Sequence, residues 1–202
     1  GTSMASPVSA GAAAIVQSQF NYTNAFQIGE RLKQTCDPMT GANFTAGKLG
    51  KGRIDLARAV STLAAKSLMM NPINITDGND NAFMPGETLD ITGTFINLLD
   101  PSSASAAAVL TIGSVSGGTL PTIVNGNYTI GALATLGTNN NNATPFKVTI
   151  AGSAPVNQVI NFVVTITDGT FVGKQYFSVT VNVDYINIVI NDVHTTITSK
   201  GR

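Results

Sequence analysis

The sequence has little charge, one cysteine, one histidine and no long hydrophobic run. Charged residues make up 11% of its 202 positions, against about 25% in an average soluble domain. Eleven Lys and Arg balance eleven Asp and Glu, so the formal net charge is zero. That balance argues against a dominant nucleic-acid or anionic-membrane partner. Cys36, alone, excludes an internal disulfide and a cysteine-cluster metal site. His194, alone, excludes a histidine-rich zinc site. No segment approaches the roughly 18 uninterrupted apolar residues of a membrane span. The first residues form no signal-like segment, and the chain opens at Gly1 without a methionine. Hydrophobic residues are abundant at 43%, enough to bury a core.

The neutral total conceals a division. Residues 1–66 carry seven Lys and Arg against three Asp and Glu, a net +4. Residues 67–202 carry four against eight, a net −4. Such asymmetry suggests two units of different origin.

Periodicity divides the chain at the same place. Met4–Gln19 is rich in Ala and lacks strand-like alternation, which predicts a helix. Asn24 is placed to cap a second helix over Ala25–Cys36, with Ile28, Leu32 and Thr35 at helical spacing. Gly41–Gly52 holds four glycines and reads as a loop. Asp55 is placed to cap a third helix, with Leu56, Ala59, Val60 and Leu63 on one face and Lys66 near its end. Three such helices need another layer to cover their apolar faces. The run Ala10-Gly11-Ala12-Ala13-Ala14 suits close approach to that layer, which is expected to lie outside this sequence.

After Asn71-Pro72 the pattern becomes strand-like. Leu89–Phe95, Phe146–Ile150 and Gln175–Val183 alternate with period two. Ala106–Ile112, Asn127–Leu136 and Gln158–Thr167 are rich in strand-forming residues. Turn chemistry separates them at Asp77-Gly78, Gly117-Gly118, Asn125-Gly126 and the asparagine run 139–142, which reads as a solvated loop. Asp168-Gly169 between two long candidates predicts a hairpin. Short strands separated by such turns indicate an antiparallel sandwich.

The most informative stretch is Gly1-Thr2-Ser3-Met4-Ala5-Ser6-Pro7. It resembles the nucleophile motif of subtilisin-like serine peptidases. The likeness continues through Ala10–Ala14 and resumes at Leu49-Gly50-Lys51-Gly52-Arg53-Ile54-Asp55-Leu56-Ala57-Arg58-Ala59-Val60, which is similar to the family's glycine-rich turn and last catalytic-domain helix. It covers about residues 1–66. The resemblance implies a nucleophilic role for Ser3, with its N–H as one oxyanion donor. A serine hydroxyl attacks only when a base takes its proton. At the start of a helix the N–H groups lack intrahelical partners, and the positive end of the dipole favours a developing oxyanion. Gly1 would let the backbone pass close to substrate. Pro7 falls within about the first turn, where it sacrifices at most one helix hydrogen bond. Taken alone, Thr2 or Ser3 reads as an N-cap before an Ala-rich helix. Ser6 reads as structural. After Pro7 the family often has His then Val, and this chain has Val8 then Ser9.

Family order is Asp, His, Ser, so the resemblance implies that both partners of Ser3 and the side-chain oxyanion donor precede Gly1. His194 follows the nucleophile in a polar stretch and reads as an exposed linker or strand residue. The 202 residues alone are therefore expected to have no peptidase activity.

Residues 77–92 resemble the opening of sandwich modules appended to secreted peptidases of Bacteroidetes-type bacteria, and Gln158–Val183 resembles the module's end. Asp77, Asn79, Asn81 and Glu87 offer oxygen ligands for Ca²⁺, although Glu87 is two residues short of EF-hand spacing. The plainer reading is an Asx-rich turn before a strand. Cys36 reads as a buried small hydrophobe rather than a reactive thiol. Five Asn-x-Thr triplets match the glycosylation pattern and read as chance.

The expected fold is an α/β catalytic-domain piece, mostly helices here with its parallel sheet missing upstream, followed by an all-β antiparallel sandwich. The expected boundaries are 1–68 for the peptidase piece, 69–184 for the sandwich, and 185–202 for the start of a further unit. The expected function is that of a secreted subtilisin-like serine endopeptidase acting on polypeptide substrate, with partners of Ser3 in upstream residues of the same chain. No cofactor is required, Ca²⁺ at the sandwich loop being optional. The alternative is a binding or structural sandwich attached to an inactive peptidase remnant.

Overall fold

The structure, a computed structural model, describes residues 1–39, 50–62 and 64–181. Its helices are α1 (Thr2–Phe20), α2 (Ala25–Gln34) and α3 (Leu56–Ser61). Its strands are β1 (Leu68–Thr76), β2 (Thr88–Asn97), β3 (Ala107–Val115), β4 (Thr122–Asn125), β5 (Asn127–Thr129), β6 (Thr138–Asn140), β7 (Phe146–Thr149), β8 (Gln158–Asp168) and β9 (Phe171–Val181).

Local chemistry explains the helix ends. α1 stops at Asn21, which is left-handed at φ 55 and returns its N–H to Gln17 O at 2.9 Å. Asn24 opens α2 as a capping box: its side chain accepts from Phe26 N–H, and Gln27 reaches back to Asn24 N–H. Asp55 Oδ1 accepts from Arg58 N–H at the head of α3. α3 has only six residues, because Thr62 is extended. Arg31, 2% exposed, takes over at that end: its guanidinium donates to Ala59 O at 2.9 Å and to Thr62 O, and covers the Phe20 ring. Lys66 therefore lies beyond α3 rather than near its end, while Leu63 falls outside the described residues. So do residues 40–49, which include most of the expected glycine loop and Leu49 of the second family-like stretch.

Gly52 closes the next turn. Its φ is 145, and a Cβ there would stand 2.0 Å from Asp37 O. That close approach allows the main-chain bridge between Asp37 and Arg53.

The strands form two antiparallel sheets. One has the order β1-β2-β7-β4, with β6 also on β2; the other runs β5-β3-β8-β9. β2 alternates cleanly between buried and half-buried residues, as a strand with one face on a core must. Leu89, Ile91, Phe95, Phe146 and Val148 from the first sheet meet Leu110, Ile160, Phe162, Val164 and Ile166 from the second. A separate small cluster of Ala12, Val16, Leu32 and Ala59 holds the helices together.

The expected fold class requires correction. The described residues are 39% strand and 21% helix, so they are mostly antiparallel sheet and not mostly helical. Every strand pairing among the described residues is antiparallel. Two physical reasons account for the difference. Among the described residues the helices are few, and α3 ends early. Pairing also recruits residues whose own pattern is not strand-like. β1 begins at Leu68, ahead of Asn71-Pro72, because an edge strand tolerates the missing N–H of Pro72. The peptide bond before Pro72 is cis.

The asparagine run 139–142 is also not a solvated loop. Thr138–Asn140 pairs with Thr94–Ile96 of β2, and β7 pairs with Thr88–Ile91 farther along the same edge. Asn141 fills the gap between them. It is fully buried, accepting from Gly93 N–H at 2.8 Å and donating to Ile91 O at 3.0 Å. Its amide continues the β2 ladder where no strand lies. By contrast, Asn127–Leu136 is strand only at its first three residues. The predicted hairpin joins β8 to β9, with Asp168 opposite Phe171 and Gly169 at φ 60 as the first of two turn residues.

The helical segment and the sandwich meet along polar contacts. Gln27 Nε2 donates to Leu98 O at 2.9 Å, Ser67 Oγ to Glu30 Oε2 at 2.6 Å, and Ala65 N–H to Asp100 Oδ2 at 2.5 Å. No helix of the described residues is long and apolar enough to cross a membrane.

Candidate functional site

Ser3 lies in the first turn of α1, exposed to solvent. The N-cap is Gly1, and no side chain caps this helix end. Thr2 and Ser3 thus do not act as caps. Gly1 O accepts the first helical bonds, from Met4 N–H at 2.9 Å and Ala5 N–H at 3.2 Å. The N–H groups of Thr2 and Ser3 precede these bonds and are unsatisfied within the helix. A Cβ at Gly1 would meet nothing within 4 Å. Pro7 is the sixth residue of α1, in its second turn rather than its first. The bond it removes is the one that would end on the Ser3 carbonyl.

The surface around Ser3 is apolar and open. Met4 is 73% exposed and Val8 68%. α1 contains no charged residue, and only Ala12 and Val16 are buried along its whole length. The Ser3 hydroxyl has no hydrogen-bond partner among the described residues. His194 lies outside them.

The loop before β2 brings some of the proposed calcium ligands together. Asp77 Oδ1 accepts from Asn79 N–H at 2.9 Å and Asn81 N–H at 3.1 Å. Glu87 accepts from the Asn79 amide at 3.1 Å and from Met84 N–H at 2.7 Å. Asn79 Oδ1 accepts from Asp80 N–H. Asn81 is left-handed at φ 61 and enters this network through its backbone. Asp77 Oδ2 is shielded from solvent and has no hydrogen-bond partner among the described residues. Asp77 Oδ1 and Asn79 Oδ1 thus serve Asx-type turns, and the Glu87 carboxylate ties the loop together. Among the described residues no group of three His, Cys, Asp or Glu side chains is arranged to hold a metal ion.

The cleft of about 510 Å³ lies elsewhere, between the helical segment and β9, and none of its walls comes from residues 1–7. Cys36 stands in its wall, half-buried, with its Sγ directed at Leu32 O at 3.2 Å. Burial pushes this thiol up, away from the thiolate form, against the lowering influence of Arg58. Lys33, Lys51, Arg58 and Lys66 also line the cleft. Periodicity did not single out these cations; the excess positive charge of residues 1–66 was the signal that could have found them. No protein-family model and no curated protein matches this sequence.

Proposed function

We propose that this chain carries the nucleophile segment of a secreted subtilisin-like serine endopeptidase, with Ser3 as the residue that forms the acyl-enzyme. The supporting observation is the placement of Ser3: inside the stretch Gly1–Pro7, exposed in the first turn of α1, with its hydroxyl not spent on capping. In this reading Ser3 Oγ bonds to the carbonyl carbon of a polypeptide substrate as a histidine takes its proton. The resulting oxyanion meets Ser3 N–H at the positive end of α1. Collapse expels the amine, which takes the proton, and water then releases the acyl group. The histidine, its orienting aspartate and the side-chain oxyanion donor belong to residues preceding Gly1 in the intact protein.

A fluorophosphonate tests this directly, since phosphorus bonds to an activated Ser Oγ with loss of fluoride. A protein extended by its preceding residues should be labelled at Ser3, and Ser3→Ala should abolish the label. The 202-residue chain alone should remain unlabelled. A second reading is favoured by the sandwich's own closed core and by a cleft that residues 1–7 do not line. There the sandwich is a binding or structural module beside an inert segment. An unlabelled extended protein with a folded sandwich would select it.

A further inference from the structure

Three adjoining clefts follow the junction between the helical segment and β9, and Lys33 and Lys51 border all three. Arg58 and Lys66 stand at one end, in the cleft of about 510 Å³. Lys174 and Tyr176 stand at the other, in a cleft of about 330 Å³. Carboxylates meet three of these cations. Lys33 pairs with Glu30 at 2.6 Å, Arg58 with Asp37 at 3.4 Å and Lys66 with Asp168 at 2.6 Å. Lys51 and Lys174 form no ion pair among the described residues. Among the described residues, Lys51 Nζ donates to Val172 O, at 2.9 Å. Its burial, together with repulsion from Lys33 and Lys174, lowers its pKa, and Glu30 offsets this only in part. An anion in the furrow would relieve that repulsion.

We propose that this furrow binds an acidic peptide segment, with Lys51 and Lys174 each meeting a carboxylate and Tyr176 flanking the open end. Three features favour an extended carboxylate chain over a compact phosphate. The cations are spread along adjoining clefts instead of converging on one point. The one guanidinium present, Arg58, is already engaged by Cys36 O and Asp37, which leaves lysine point charges rather than a phosphate-matching fork. Phe171 and Val172 add apolar wall between the charges, which suits the remaining side chains of a peptide. The proposal requires nothing of Ser3 and stands apart from the peptidase reading.

The test is an anisotropy titration of the 202-residue chain with a fluorescein-labelled Asp/Glu-rich peptide. The same peptide with Asn and Gln serves as comparator. Saturable binding should weaken with added salt and fall about tenfold in the Lys51→Gln/Lys174→Gln double variant. Lys147→Gln, which removes a lysine paired with Asp90 on the other sheet, should bind as the parent does. Absence of saturable binding, equal binding of the neutral comparator, or an equal loss in Lys147→Gln would overturn the proposal. So would preferential binding of an oligonucleotide or of inorganic pyrophosphate at these lysines.

Discussion

Lys66 Nζ meets Asp168 Oδ2 at 2.6 Å, joining the segment after α3 to the tight turn between β8 and β9. Asp168 is 1% exposed and also accepts from the hydroxyl of Ser103 at 2.5 Å and from its N–H at 3.2 Å. One carboxylate thus accepts from three donor groups on two residues, Lys66 and Ser103, both far from it in the chain.

Acid should loosen this junction. Burial alone would raise the Asp168 carboxyl, but the hydrogen bonds from Lys66 and Ser103 outweigh it and hold the group below the ordinary aspartate value. A depressed native pKa contributes stability above the unfolded value near ~3.9, and that contribution is lost as pH falls through the native value. Asp168→Ala should cost about 2–4 kcal/mol in urea unfolding at neutral pH. The variant should also lose less additional stability than the parent as pH falls below about 4. Equal acid sensitivity in the two proteins would exclude this carboxylate as a cause.

Arg31 should govern the helical segment and leave the sandwich intact. Arg31→Met removes the donors to Ala59 O and Thr62 O and should cost about 2–3 kcal/mol. Hydrogen exchange should then accelerate over residues 56–62 while β8 and β9 keep their protection. Arg31→Lys should not restore it, because an ammonium lacks the planar fork. Uniform loss of protection would show that the two parts unfold as one.

Asn141 should be intolerant of Ala. Truncation strands Gly93 N–H and Ile91 O inside the fold and should cost about 2–4 kcal/mol. Asn141→Asp keeps the acceptor for Gly93 but sets a carboxylate against Ile91 O. It should therefore be destabilising at pH 7, and less so in acid. Thermal unfolding of both variants across pH provides the measurement.

The loop at Asp77 separates turn chemistry from ion binding. Asp77→Ala should lower stability by about 1–2 kcal/mol without added metal, because two backbone N–H groups lose their acceptor. Millimolar Ca²⁺ should leave the Tm of the parent unchanged. A calcium-dependent rise that Asp77→Ala abolishes would instead assign the ion to this loop.

Features set by adjacent residues were legible in the sequence. The caps at Asn24 and Asp55 and the hairpin at Gly169 depend on groups two to four residues away. The placement of Ser3 at the head of a helix was legible for the same reason. Features completed by distant chain were not. Asn141 reads as one of four polar loop residues until Gly93, 48 positions earlier, supplies its partner. Nothing near Arg31 in the sequence marks it until α3 ends against it. The furrow gathers Lys33, Lys51, Lys66 and Lys174 from positions that no local pattern connects.

β1 and β9 are the outer strands of their sheets, and the Gln175 side chain bridges them. Its Oε1 accepts from Met70 N–H at 2.6 Å and its Nε2 donates to Met70 O at 2.9 Å. Those are main-chain groups that an invading strand from another molecule would need. With Met70 occupied and Pro72 lacking an N–H two residues on, this stretch of the β1 rim offers little template for an added strand. One glutamine thus occupies main-chain groups on the rim of β1 while sewing the two layers together.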